Sequence, residues 1–159
     1  METLTLEQAY YIGEMIGTFI LIISLIFVGL QIHQNTRTMR YEVRNKTRER
    51  FLNFQLILAQ QDDLADIYFR GTSTFEILNE LEQKRFFMIC AYTLNAMSES
   101  FSSFQDGMLS SNYWDSMKIG IRNELQSDGV RKYWEDKKHL YAGPFQMFID
   151  DLMQDDSTA

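Results

Sequence analysis

Chain breakers are scarce in this sequence. It has one proline, Pro144, and eight glycines among 159 residues. Hairpin-rich β architecture needs frequent turn residues, so their shortage disfavours it and makes long helices easy. No stretch alternates strictly with period two, which removes the other strand signal. Cysteine is almost missing as well. Cys90 alone excludes an internal disulfide and any multi-cysteine zinc site. It sits in the apolar run Phe86-Phe87-Met88-Ile89-Cys90-Ala91 and reads as a small buried hydrophobe.

Catalytic signatures are lacking too. The two histidines, His33 and His139, have no second histidine at ligand spacing. Glu135 and His139 form an i, i+4 pair of the kind common on helix surfaces, which is thin ground for a metal. A di-iron bundle needs two Glu-x-x-His motifs, and none occurs. Nucleophile elbows, P-loops and G-x-G-x-x-G runs are absent. The expectation is a non-enzymatic chain with no cofactor and no metal.

Positive charge is missing from the start of the chain, where the first basic side chain is Arg37. Residues 1–50 carry six basic and five acidic side chains, and residues 51–159 carry nine and seventeen. The second part is therefore strongly acidic. Phosphate backbones need a basic surface, so nucleic acid is not an expected partner.

What is present is a long apolar run. Residues 15–32, MIGTFILIISLIFVGLQI, contain no charge. Extended back to Ala9, the run gains only Glu14. A helix over residues 9–32 rises ~1.5 Å per residue and is long enough to cross a ~30 Å hydrocarbon core. Tyr10 and Tyr11 suit the headgroup level. Glu14 lies in the first turn, where a carboxylate suits the helix dipole. A cleaved signal peptide fits poorly, because the start lacks basic residues and no A-x-A-like site follows. Residues 1–8 are read as a short extracytoplasmic start. After the run come Arg37, Arg40, Arg44, Lys46, Arg48 and Arg50. The positive-inside rule then places residues 33–159 in the cytoplasm. The same basic residues could touch anionic lipid at about 1 kcal/mol each.

Within the run, Gly13, Gly17 and Ser24 share one helical face. Small residues at this spacing let backbones approach closely, so they are the candidate helix–helix packing face. The expected partners are the bilayer and other membrane subunits, or a second copy through this helix. A basic amphipathic stalk should follow over residues 33–60. Its apolar stripe is Met39, Val43, Thr47, Phe51, Phe54 and Leu58. The stripe either packs on the chain's own domain or forms a short coiled coil.

Residues 61–154 read as an acidic helical bundle, and residues 155–159 as a frayed tail. Gln60-Gln61-Asp62 looks like a break. A short helix from Asp63 should end at Gly71, and Thr72-Ser73-Thr74 should be a loop. A long helix should run from Phe75 or Asn79 to Asp106, stopped by Gly107. Ser110 and Ser111 are candidate caps for a helix through Gln126. Shorter helices should cover residues 130–139 and 144–153, with Pro144 at a first-turn position. Trp114, Trp134, Tyr133, Tyr113 and Tyr141 are expected in the core or, if exposed together, on a partner surface. Tyr92, Asn95 and Glu99 form a candidate buried polar site on the long helix. A buried Glu99 would need a partner such as Arg85 or Arg122.

The segment Ser24-Leu25-Ile26-Phe27-Val28-Gly29-Leu30-Gln31-Ile32-His33-Gln34-Asn35-Thr36-Arg37 resembles a widespread family of uncharacterised bacterial single-pass membrane proteins. In those, an S-L-I apolar run ends in Q-I-x-Q-N-T-R. Residues 134–141, WEDKKHLY, are similar to their W-E-x-x-K/R-H-L-F/Y segment. The resemblance covers most of the chain. It implies a bacterial inner-membrane setting and no particular reaction. The sequence reading is therefore an all-α, membrane-anchored interaction protein, an accessory or scaffold subunit. Its alternative is a membrane-tethered sensor of a small molecule or lipid.

Overall fold

The computed structural model describes residues 5–155. Among them there are six α-helices and no strand. The chain divides into two compact units, Met1–Tyr41 and Glu42–Ala159. Residues 1–4 of the expected start and 156–159 of the expected tail lie outside the described residues, and α1 already begins at Leu6.

The helix α1, Leu6–Gln60, supplies nearly all of the first unit. No proline or glycine interrupts it between Gly29 and its end. It is the one helix among the described residues that is long and apolar enough to cross a membrane, and none of its apolar window is buried. Ser24 turns its hydroxyl back to donate to the Ile20 carbonyl at 2.8 Å. Thr18 does the same to Glu14 at 2.9 Å, so these polar groups are satisfied within the helix.

In the second unit, the end of α1 joins α2 (Asp62–Ser73), α3 (Glu80–Gln105), α4 (Ser111–Leu125), α5 (Asp128–Lys137) and α6 (Gly143–Asp155). Short 3-10 turns at Phe75–Ile77 and Lys138–Leu140 complete the path. Asn79 caps α3. Its side-chain oxygen accepts from the Leu81 and Glu82 amides, each at 3.0 Å. Glu82 returns the bond by accepting from the Asn79 amide at 2.9 Å, which completes a capping box. Gly107 ends α3 at φ 69°. The Met108 amide donates to the Ser103 carbonyl and the Gly107 amide to the Phe104 carbonyl, both at 2.9 Å. That pair of bonds is the Schellman pattern, and the positive φ is why glycine occupies it.

Gly71 does not end α2, which continues to Ser73. Its role is packing. A Cβ at Gly71 would overlap the Phe86 ring, and one at Gly129 would overlap both that ring and the Gly71 carbonyl oxygen. The two glycines let α2 and α5 meet backbone to backbone over Phe86, which is fully buried. The last two helices also start earlier than their spacing predicts, at Asp128 and Gly143.

Aromatic rings fill the core. Phe104 stacks on Trp114 with centroids 5.1 Å apart, and Phe101 stacks on Phe148 at 5.0 Å. Trp134, Tyr133 and Tyr141 are buried with Phe145, Ile149 and Leu152. The Trp134 indole donates to Asp150 at 2.8 Å, and Tyr133 and Tyr141 share a hydroxyl contact at 3.1 Å. Cys90 is buried and free, and burial pushes its thiol up, away from reactivity.

Candidate functional site

An elongated cavity of about 350 Å³ lies inside the second unit, between the end of α1, α3 and α4. That size is within the ~300–1,000 Å³ common for small-molecule sites. Each wall follows from helical phase. α1 presents Thr47, Arg48, Arg50, Phe51 and Phe54. α3 presents Tyr92, Thr93, Ala96, Met97 and Ser100. α4 presents Tyr113, Ser116, Met117, Gly120, Ile121 and Glu124. On α4, Tyr113 and Glu124 are eleven residues apart, which is ~16 Å of helix at ~1.5 Å per residue.

The serine hydroxyls and that of Thr93 on these walls are turned back onto their own helices. Thr93 donates to Cys90 at 3.1 Å, Ser100 to Ala96 at 2.8 Å and Ser116 to Asn112 at 3.1 Å. The lining is therefore mainly aromatic and aliphatic. Gly120 leaves a gap in the α4 wall, because a Cβ there meets no atom within 4 Å.

Glu124 is the single carboxylate among the described lining residues. The Tyr68 hydroxyl, from α2, donates to it at 2.8 Å. Burial raises the Glu124 carboxyl above its ordinary range, and this outweighs the lowering from the Tyr68 hydrogen bond. Among the described residues, no cation contributes to that balance. Burial and the neighbouring Glu124 charge also raise the Tyr68 phenol, which stays a donor. Phe54 packs edge-on against Tyr68 at 5.6 Å between centroids and lies 6.0 Å from Tyr92, closing the wall beside them.

Away from Glu124 the lining carries positive charge, from Arg48 and Arg50, and the carboxylate that pairs with Arg50 is not among the lining residues. Arg50 pairs with Glu99, and its carbonyl accepts from the Tyr92 hydroxyl at 3.3 Å. Tyr92, Asn95 and Glu99, expected as a buried polar site, are exposed instead. The reason is phase. Phe86, Cys90 and Leu94 set the buried side of α3. At ~100° per residue, Tyr92, Asn95 and Glu99 fall about opposite Cys90. Glu99 is 61% exposed and takes its partner from α1, whereas Arg85 pairs with Asp63 at 2.7 Å.

The remaining residues singled out by sequence are placed as follows. Gly13, Gly17 and Ser24 are exposed on α1, and a Cβ at either glycine meets nothing within 4 Å. Arg37, Arg40, Arg44, Lys46 and Arg48 are exposed as well. Of the stalk stripe, Val43, Thr47, Phe54 and Leu58 are partly buried, while Phe51 is 61% exposed and lines the cavity. Among the described residues, no group of three or more His, Cys, Asp or Glu could hold a metal ion.

Glu124 and Gly120 escaped the sequence reading. The available signal was an acidic residue on the inward face of α4, seven after Met117 and three after Ile121. Compared with known proteins, the chain matches no family model, no curated protein and no solved structure.

Proposed function

We propose that this chain is a membrane-anchored, non-enzymatic interaction protein, an accessory or scaffold subunit of a bacterial inner-membrane complex. One observation carries the reading: within the first unit, the apolar stretch of α1 is exposed at every residue whose burial is described. Such a surface is stable in lipid and costly in water. The basic residues from Arg37 to Arg50 favour a cytoplasmic second unit. Gly13, Gly17 and Ser24 offer the close-packing face for another membrane helix or a second copy.

The test is extraction of the intact chain from its membrane in mild detergent, with size and composition read by mass. A defined stoichiometric complex is expected. Replacing Gly13 and Gly17 by Ile should break it down at least several-fold while leaving the chain in the membrane. A monomer in the parent chain would contradict the subunit reading.

A second reading has its own support in the cavity between α1, α3 and α4. It makes the chain a membrane-tethered sensor whose second unit holds a small molecule. The cavity has the size and the mostly apolar lining of a ligand site, with few polar groups.

A further inference from the structure

We infer that the cavity between α1, α3 and α4 binds a hydrophobic monocation, with Glu124 as its counter-ion and the rings of Phe51, Phe54, Tyr92 and Tyr113 around its body. The inference rests on the sensor reading of that cavity and specifies its ligand. Glu124 is a partly buried carboxylate in an apolar space, and among the described residues its hydrogen bond comes from Tyr68. Holding such a group ionised away from water is unfavourable without a compensating charge. A ligand cation provides that charge. Phe54, which packs on the Tyr68 ring that holds Glu124, adds attraction at the charged end, since a cation over an aromatic face gains roughly 0.5–2 kcal/mol, and the other rings cover the apolar body. Residues 51–159 carry seventeen acidic against nine basic side chains, a balance that concentrates cations near the domain.

An anionic amphiphile fits less well. Its head could reach Arg48 or Arg50, but Arg50 is already paired with Glu99. Its apolar tail would then end against Glu124 and leave the carboxyl uncompensated. An uncharged ligand gains nothing from the carboxyl's charge and leaves burial to favour its protonated form. The ligand should also be rod-like, because the lining follows α4 from Tyr113 to Glu124.

The experiment uses the full chain in nonionic detergent. Three fluorescent probes are titrated: an N-methyl styrylpyridinium dye, its uncharged styrylpyridine analogue at a pH where it is neutral, and anilinonaphthalene sulfonate as the anion. The cationic dye should bind saturably at one site, at least tenfold tighter than either other probe. Glu124→Gln should weaken the dye at least tenfold and leave the neutral analogue unchanged. Gly120→Phe should block the dye, since the ring would enter the cavity from a position where a Cβ meets nothing. Circular dichroism checks that both variants keep their helices.

Equal binding of the dye to Glu124→Gln would overturn the inference, as would dye binding that Gly120→Phe leaves intact. Tighter binding of the anion or of the neutral analogue, blocked by Gly120→Phe, would overturn the cation assignment while sparing the ligand-site reading. Absence of saturable binding by all three probes would overturn both.

Discussion

At the scale of single residues, two positions carry the most physical content. A Cβ at Gly129 would overlap the Gly71 carbonyl oxygen and the Phe86 ring, and the carbonyl belongs to backbone that cannot swing aside. Gly129→Ala should therefore destabilise the domain by about 1–3 kcal/mol through overpacking. Thermal or denaturant unfolding measures it, and an unchanged midpoint would contradict the contact. Glu124 is the second position. Burial lifts its carboxyl above the ordinary value of 4.5. The folded chain then holds this proton more tightly than the unfolded chain does. As pH rises from the ordinary value through the raised one, the unfolded state binds fewer protons, so stability falls across that window. Glu124→Gln removes this effect, because an amide oxygen can still accept from Tyr68. The variant should gain on the parent chain in melting temperature between pH 4.5 and neutrality. A difference that stays flat over that range would refute the assignment. Asp63, Glu76 and Glu82 act in the opposite sense. Hydrogen bonds from Arg85, Lys132 and Arg70 lower their carboxyls, so their contribution is lost as pH falls below the ordinary range. Asp63 and Glu76 are exposed, where solvent and salt keep that contribution small, whereas Glu82 is partly buried against Arg70.

At the scale of elements, helix boundaries were legible where a local side chain or a special φ sets them. Asn79 opens α3 through its own hydrogen bonds, and Gly107 closes it with a positive φ. Asn79→Ala should cost about 1 kcal/mol. A melt of the variant checks this, and a loss near zero would mean that the cap is idle. Boundaries set by tertiary packing were not legible. Gly71 reads as a helix stop, yet its value is to let Phe86 and α5 approach, a relation with a residue 58 positions on that no local pattern records. The candidate site failed in the same manner. Tyr92, Asn95 and Glu99 look like a polar island among aromatics, but the helical phase set by Cys90 and Leu94 turns them outward. The polar residue that does reach an apolar space is Glu124. Its environment is assembled by α1, α2 and α3, so α4 alone gave only the weak hint of an acid on an inward face.

At the scale of the whole molecule, the all-α fold class was the most legible feature. An uncharged apolar run precedes an acidic, aromatic-rich helical part, whereas the two compact units, Met1–Tyr41 and Glu42–Ala159, divide inside the stretch of residues 33–60 expected as a stalk. The all-α character follows from the shortage of breakers. The cavity does not follow from composition at all, since it depends on which faces of three helices stay apart. The central claim is that residues 9–32 cross a membrane and leave the second unit on the cytoplasmic side. Protease digestion of a C-terminal tag, compared in intact spheroplasts and inside-out vesicles after an alkaline wash, tests it most directly. The account predicts a tag that stays with the membrane pellet, survives in spheroplasts and is digested in inverted vesicles. A tag released into the supernatant, or digested in intact spheroplasts, would contradict it.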